Sequence, residues 1–357
     1  MLAKPFAVTK KVWMPTRFTG FDTEPSGRIN LAGCENCCAS PRVLQLFSNI
    51  DPRLLTDHWQ SQDPRLRSKL ATLHGVHPGQ VFLTSGAESA ISYIFEKWAK
   101  GGVRKAGLLQ PDYPAFEHFI DRNSLDVRWL RSMQYPFTHN LNDVLRFVRK
   151  EDLPFLAISN PNGVTGTRKA VSEITISVAS APDTLFVIDE ADATDTESAA
   201  HLTLTYPNLI VIRSFSKFYG LSGLRIGYIV TPSAFSDGFS RMINPAELTG
   251  LAILAATEVL DDIEYQRATQ ERVKRSLAMI EEACQGNTYR VVPGSSCFAA
   301  YLWADKGIED PYTLLERHNI DIARGAGFGL DRGGRMNLSD PAKVRIAADV
   351  IRKAVRG

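Results

Sequence analysis

Apolar residues fall along this chain in two alternating rhythms. Short, near-continuous apolar runs, most of them rich in β-branched residues, occupy 81–84, 106–109, 155–158, 184–188, 209–212 and 226–230. Between them apolar positions recur at helical spacing, as at Ile91, Ile94, Phe95 and Trp98, at Leu141, Val144, Leu145 and Val148, and across 171–181. Runs without polar alternation predict strands buried on both faces, and the intervening helical patterns predict crossover connections. The expected fold is α/β, with a mostly parallel mixed sheet sandwiched by helices.

The pattern changes after about residue 240. A long charged helix is predicted over 261–284, short strands at 289–292 and 298–303, and an amphipathic helix at 343–355. Together these read as a smaller α+β unit. The first forty or so residues are irregular. A chain of 357 residues exceeds the usual size of one domain. The expected organisation is an N-terminal segment (1–44) packing with the small domain, a large domain (45–240) and a small C-terminal domain (241–357).

Charge and composition remove several function classes. Lys and Arg total 41 against 39 Asp and Glu, and no block of like charge occurs. Neither nucleic acid nor a membrane surface therefore has an electrostatic footprint to bind. No apolar run reaches the length of a membrane span. The opening Met-Leu-Ala-Lys-Pro-Phe lacks the pattern of a secretory signal, so a cytoplasmic location is expected. Five cysteines, an odd number in a long chain, argue against a disulfide framework. Cys34, Cys37 and Cys38 cluster, but a closed zinc site needs about four ligands. Cys284 and Cys297 stand alone, so no metal is expected.

Candidate chemistry sits directly after the predicted strands, at the edge where a parallel sheet binds ligands. Thr84-Ser85-Gly86-Ala87-Glu88-Ser89 opens a helix, either as a phosphate-binding helix end or as a plain cap. Asn160-Pro161-Asn162-Gly163-Val164-Thr165-Gly166 reads by itself as a turn. Asp189-Glu190-Ala191-Asp192 ends another strand. The most informative stretch is 213–227, where Lys217 lies among small and apolar residues. Burial there is expected to shift it towards the neutral, nucleophilic amine. Ser214, Ser216 and Arg225 offer hydroxyls and a fixed cation suited to a phosphate dianion. A lysine, an anion site and a strand-end Asp189 together point to pyridoxal 5′-phosphate (PLP), whose ring nitrogen Asp189 would keep protonated.

Through the Ser-x-Ser-Lys…Gly-Leu-x-Gly-Leu-Arg-x-Gly signature, the chain resembles the fold-type I PLP enzymes of the class I/II aminotransferase superfamily. It is most like the branch holding histidinol-phosphate aminotransferase and threonine-phosphate decarboxylase, over about residues 30 to 340. The resemblance implies that Lys217 forms the Schiff base and moves a proton from Cα to C4′, and that Asp189 pairs with the pyridine nitrogen. It gives the phosphate to backbone of Gly86, Ala87 and Glu88 and to side chains of Ser214, Ser216 and Arg225. Tyr113 matches the aromatic stacked on the ring, and Asn162 most nearly matches the asparagine that donates to the ring oxygen O3′. Arg335 matches the arginine that clamps the substrate carboxylate, with Asn36, Asp192 and Arg324 as further substrate-side candidates. A homodimer is also implied.

Several positions depart from the family pattern. Asp192 stands where a tyrosine usually donates to O3′, and Gly163-Val164 replaces the commoner Asn-Pro or Ala-Pro. Cys297 replaces a usual asparagine, and His58-Trp59 lies where a partner's tyrosine normally reaches the phosphate. The cofactor core is intact while the layer around it has changed. The expected function is an aminotransferase acting between an amino acid and a 2-oxo acid. The alternatives are decarboxylation, or another PLP outcome such as elimination, cyclisation or oxidation; a non-catalytic protein that kept the fold is a third. A dinucleotide site is not expected, because the glycine run at 325–329 does not follow a strand into a helix.

Overall fold

The computed structural model describes residues 27–194, 197–285, 288–292 and 297–356. Residues 1–26 of the segment expected at 1–44 lie outside the described residues. A two-residue strand, β1 (Ile29–Asn30), precedes seven that form the main sheet. These are β2 (Val81–Thr84), β3 (Lys105–Gln110), β4 (Asp126–Arg131), β5 (Phe155–Ser159), β6 (Leu185–Asp189), β7 (Leu209–Ser214) and β8 (Gly227–Val230). Their spatial order is β2-β8-β7-β6-β5-β3-β4. Every neighbouring pair is parallel except the two made by β8.

Apolar continuity along these strands has a direct physical cause. Successive side chains of a strand point to opposite faces, and here each face has its own core. Val81, Leu83, Leu156, Ile158, Phe186, Ile188, Leu209 and Val211 enter one cluster, while Phe82, Phe155, Ala157, Leu185, Val187, Ile210 and Ile212 enter the other. A polar residue at any of these positions would be buried against helices. Only the edge strand β4 carries exposed charge, at Asp126 and Arg131.

The second sheet has the order β12-β13-β10-β9 and is antiparallel, from β9 (Tyr289–Val291), β10 (Ala299–Ala304), β12 (Ala323–Arg324) and β13 (Gly334–Asn337). β1 pairs in parallel with β11 (Ile320–Asp321), and Leu31 enters the core beneath this sheet. The Ile263–Cys284 helix joins the two regions: Tyr265 and Val273 pack in the first core, Ile280 and Cys284 in the third. The Gly250–Val259 helix lies beyond the domain division expected at 240, yet Ala252, Ile253, Ala255, Ala256 and Val259 pack into the main-sheet core. The change of core therefore falls inside the Ile263–Cys284 helix, because the apolar Gly250–Val259 helix is needed to cover the main sheet.

Helix ends position the site. The Pro64–His74 helix is capped by Asp63, which accepts from Arg65 and Leu66 N–H, and it stops at Gly75 with φ of 63°. The Gly86–Lys100 helix has no side-chain cap from Ser85. Its first-turn N–H groups thus open onto the sheet edge.

Candidate active site

The carboxyl ends of β2, β3, β5, β6 and β7 lie at one edge of the main sheet, and Thr84 and Ser214 both pair with Gly227, the first residue of β8. Every large-domain candidate sits at this edge, at the end of a strand or in the segment that follows it. Gly86 has φ of +76°, and a Cβ there would lie 2.8 Å from Arg225 Nη2. A Cβ at Gly227 would come within 2.8 Å of the Gly86 carbonyl carbon and 3.0 Å of the Ala87 nitrogen. Two glycines therefore keep open a cradle of helix N–H groups and guanidinium. Arg225 Nη1 donates to Ser216 Oγ at 3.5 Å, and Ser214 Oγ accepts from Ser216 N–H at 3.1 Å. Helix N–H groups, two hydroxyls and a cation suit a phosphate dianion.

Tyr113 donates through its hydroxyl to Glu88 at 2.8 Å, and Glu88 approaches Arg225 at 3.9 Å. Burial, then the Glu88 carboxylate, hold the Tyr113 phenol well above its usual range. The loop carrying Tyr113 is pinned by Asp112, which accepts from Tyr113 N–H at 2.7 Å and from Ser159 N–H at 3.2 Å, and also from the Ser159 hydroxyl. Burial pushes Asp112 up to about 7 against these bonds. Asp189, at the end of β6, accepts one N–H, from Ala191 at 3.0 Å. Burial, assisted by Asp192, raises Asp189 to about 7 as well.

Lys217 follows β7, and its Nζ lies 2.5 Å from Asp192 Oδ1. Here the expectation of a neutral amine is corrected. Burial does disfavour the Lys217 ammonium, but the Asp192 carboxylate overrides it and the lysine is raised above its ordinary value. Asp192 is thus the counter-ion of Lys217. A Cβ at Gly163 would lie 2.6 Å from Asp192 Oδ2, so the carboxylate fills space that only glycine leaves.

Arg335, on β13, reaches across from the small sheet. Its Nη1 donates to Gly163 O at 3.3 Å, its Nη2 to Ala32 O at 3.1 Å, and the guanidinium lies over Phe328 at 5.0 Å. Its Nε is buried with no hydrogen-bond partner among the described residues. Arg335 thus bonds the Gly163 turn, against which sits the Asp192 carboxylate that pairs with Lys217.

Three candidates are placed otherwise than expected. Asn162 spends its side-chain oxygen on Val164 and Thr165 N–H, both at 3.0 Å, and its amide donates to Pro111 O at 2.9 Å. It shapes the turn that presents Gly163. Asn36 donates to the carbonyls of Lys217 (3.1 Å) and Phe218 (3.4 Å) and to Tyr265 Oη (3.0 Å), so it braces the Lys217 loop from behind. Arg324 pairs across the sheet with Gly334 and Ala323 with Arg335. Cross-strand partners share a face, so Arg324 projects to the other one, over the Tyr312 ring at 5.4 Å.

Sequence reasoning did not single out the groups that hold the site in place. Glu190 and Arg213 form a fully buried ion pair at 3.1 Å, and Glu190 also accepts from Ser198 Oγ at 2.5 Å and Ala199 N–H at 2.8 Å. Glu247 accepts from Ser85 N–H at 2.8 Å and Tyr93 Oη at 3.0 Å, anchoring the cradle helix. Glu190 and Arg213 did carry a signal, since each adjoins a chosen residue at the end of a buried strand. Glu247 lay in a loop without one.

Residues 53–351 match the family model described as aminotransferase class I and II. The chain belongs to the class I and II aminotransferase family. It is 26% identical over 334 residues to histidinol-phosphate aminotransferase 1 of Mannheimia succiniciproducens, covering 92% of this chain and 90% of that one. The structure of histidinol-phosphate aminotransferase from Sinorhizobium meliloti in complex with pyridoxal-5′-phosphate superposes with a TM-score of 0.77 at 20% identity, covering 92% and 91%. L-threonine-O-3-phosphate decarboxylase from Porphyromonas gingivalis shares the fold at a TM-score of 0.72 and 21% identity, covering 91% and 98%. As a member of this aminotransferase family, the chain is a PLP-dependent enzyme. Its own residues fit that cofactor: an open cradle at Gly86, a buried carboxyl at Asp189 and a partly buried amine at Lys217.

Proposed function

We propose that this aminotransferase moves an amino group between an amino acid and a 2-oxo acid, with Lys217 as the residue that both carries the cofactor and moves the proton. The observation that carries this reading is the Gly163 turn, which Arg335, with a buried unsatisfied N–H, bonds on one side and on which the Asp192 partner of Lys217 sits. When bound, PLP supplies an electron-accepting ring that takes up the electron pair left at the substrate Cα. Lys217 Nζ, once freed from the cofactor, takes the Cα proton. Asp189 would hold a proton on the ring nitrogen through the negative charge of its carboxylate, which pairing with that cation would restore against burial. Arg335 binds the substrate carboxylate by a two-pronged bond, Tyr113 packs against the ring, and the Gly86 cradle with Ser214, Ser216 and Arg225 holds the phosphate.

A homodimer in the cytoplasm is part of the same proposal. It is supported by the family, by the exposed Leu55 and Leu44 of the segment ahead of the main sheet, and by the lack of any membrane-length apolar helix among the described residues. The purified protein should gain a visible absorbance with PLP that borohydride bleaches, and Lys217→Ala should lose it. Amino acids offered singly, without an oxo acid, should convert that absorbance and release a 2-oxo acid seen by mass. Bleachable absorbance retained in Lys217→Ala would refute the lysine assignment. Carbon dioxide in place of a 2-oxo acid would instead identify the activity named for the P. gingivalis neighbour.

A further inference from the structure

The ion pair beneath the sheet edge carries more than a structural role. Asp192 Oδ1 is 2.5 Å from Lys217 Nζ, and Asp192 itself is 5% exposed. Few other groups compete for that nitrogen. The titratable neighbours of the pair are Cys34 and Cys297, both buried thiols, with Asp189, Asp112 and Tyr113 farther along the edge. Burial raises both thiols, which keeps them protonated. Asp189 and Asp112 are themselves pushed towards the neutral acid by burial. Among the described residues, Arg335 is a further cation acting on Cys34, and it bonds the Gly163 carbonyl. Asp192 is therefore the carboxyl group that faces Lys217.

Its place is built by a second residue. The Asn162 side chain folds the 162–165 turn so that Gly163 faces Asp192, and any Cβ at 163 would come within 2.6 Å of Asp192 Oδ2. Gly163 and Asp192 thus form one unit, a carboxylate seated in the space of a missing side chain. Its Oδ2 is turned to the turn and its Oδ1 to the lysine.

We infer that Asp192 is the proton partner of Lys217. Its carboxylate accepts the ammonium proton as the amine nitrogen attacks the cofactor aldehyde, and afterwards keeps a proton on that nitrogen by charge. The balance is complete within the pair and the cofactor. The ammonium would shed one proton to Asp192 Oδ1 as the nitrogen lone pair forms the bond to carbon. A second N–H proton would pass to the aldehyde oxygen, and the Asp192 proton would join it there, so that the oxygen leaves as water and a protonated C=N bond remains beside the restored carboxylate. With the linkage formed and Asp192 ionised again, the negative charge favours the protonated, positively charged nitrogen. This inference rests on the proposed role of Lys217, and its consequence appears in the resting protein before any substrate is added.

The test is a pH titration of the visible absorbance of the PLP-loaded protein, wild type against Asp192→Asn. Removing an opposite charge at this range should lower the titration midpoint by about one to three pH units. Gly163→Ala, which displaces the carboxylate without removing it, should move the midpoint in the same direction by less. A midpoint unchanged or raised in Asp192→Asn overturns the inference. Thermal melts confirm that each variant is folded.

A second measurement needs no cofactor. An amine-acylating reagent at pH 8, followed by peptide mass mapping, should label Lys217 about tenfold or more faster in Asp192→Asn, because each pH unit taken from the lysine multiplies its neutral fraction tenfold. Equal labelling rates overturn the pairing. If wild type takes up no PLP, the proposed function fails, and the labelling comparison still decides whether Asp192 controls the Lys217 proton.

Discussion

Replacing Gly86 by alanine separates the cradle's geometry from its backbone. Gly86 has φ of +76°, where an L-residue costs about 1–2 kcal/mol. That strain is present with or without cofactor, so it lowers thermal stability and leaves affinity unchanged. The new Cβ also lies 2.8 Å from Arg225 Nη2, at the flexible end of that side chain. The guanidinium swings aside at little cost to folding, but it leaves the position from which it reaches a phosphate. One hydrogen bond to a charged group is then lost, about 1.5–3 kcal/mol. At about 1.4 kcal/mol per tenfold, PLP should bind roughly 10- to 150-fold more weakly. The protein is stripped of cofactor and titrated with PLP by visible absorbance, with melting curves run in parallel. Weaker binding with a lower melting temperature fits the cradle. A lower melting temperature with unchanged PLP affinity would refute it, because Gly86 would then serve the chain's turn alone.

Other predictions follow from single contacts. Arg335→Ala should lower kcat/KM for the amino acid by roughly 10- to 150-fold, the cost of about 1.5–3 kcal/mol for a charged hydrogen bond. Arg324→Ala should stay within about twofold, as a surface change away from the site, and steady-state kinetics on both variants checks the assignment of sheet faces. Glu190→Ala removes the carboxylate that neutralises the buried Arg213 guanidinium, which should destabilise the protein by about 3–5 kcal/mol in urea unfolding. Asp189 and Asp112 hold protons in the folded state up to about pH 7 but release them near pH 4 when unfolded. The folded state binds more protons across that window, so the cofactor-free protein should lose stability as pH rises from about 4 to 7. Asp189→Asn should flatten this slope, and melting temperatures measured in pH steps read it directly.

The main sheet was legible because its strands are buried twice over. A run such as Leu185-Phe186-Val187-Ile188 has no solvent face to soften it, so one residue type serves both cores. Lys217, Asp189 and Arg225 were legible for a related reason, since each adjoins such a run. The charge state of Lys217 was not. It depends on Asp192 standing 2.5 Å away, a distance set by the Gly163 turn and not by either neighbouring sequence. Asn36 and Arg324 show the same limit. Both have the chemistry to meet a substrate, but one faces the back of the lysine loop and the other the far face of a four-stranded sheet. The change of pattern after about residue 240 does not by itself show which core the apolar Gly250–Val259 helix joins, and that helix packs in the main-sheet core.

Arg335 in the free protein bonds to the carbonyls of Gly163 and Ala32. A substrate carboxylate taking the guanidinium, as proposed, would exchange those bonds for its own, and the buried Nε would gain a partner it lacks among the described residues. Recognition at this end is therefore a trade, and its net strength is modest by construction. The same trade unfastens two tethers, one to the loop of the main sheet and one to the N-terminal segment. An amine without a carboxylate would leave both tied, so only a substrate carrying a carboxylate would free this link between the two sheets.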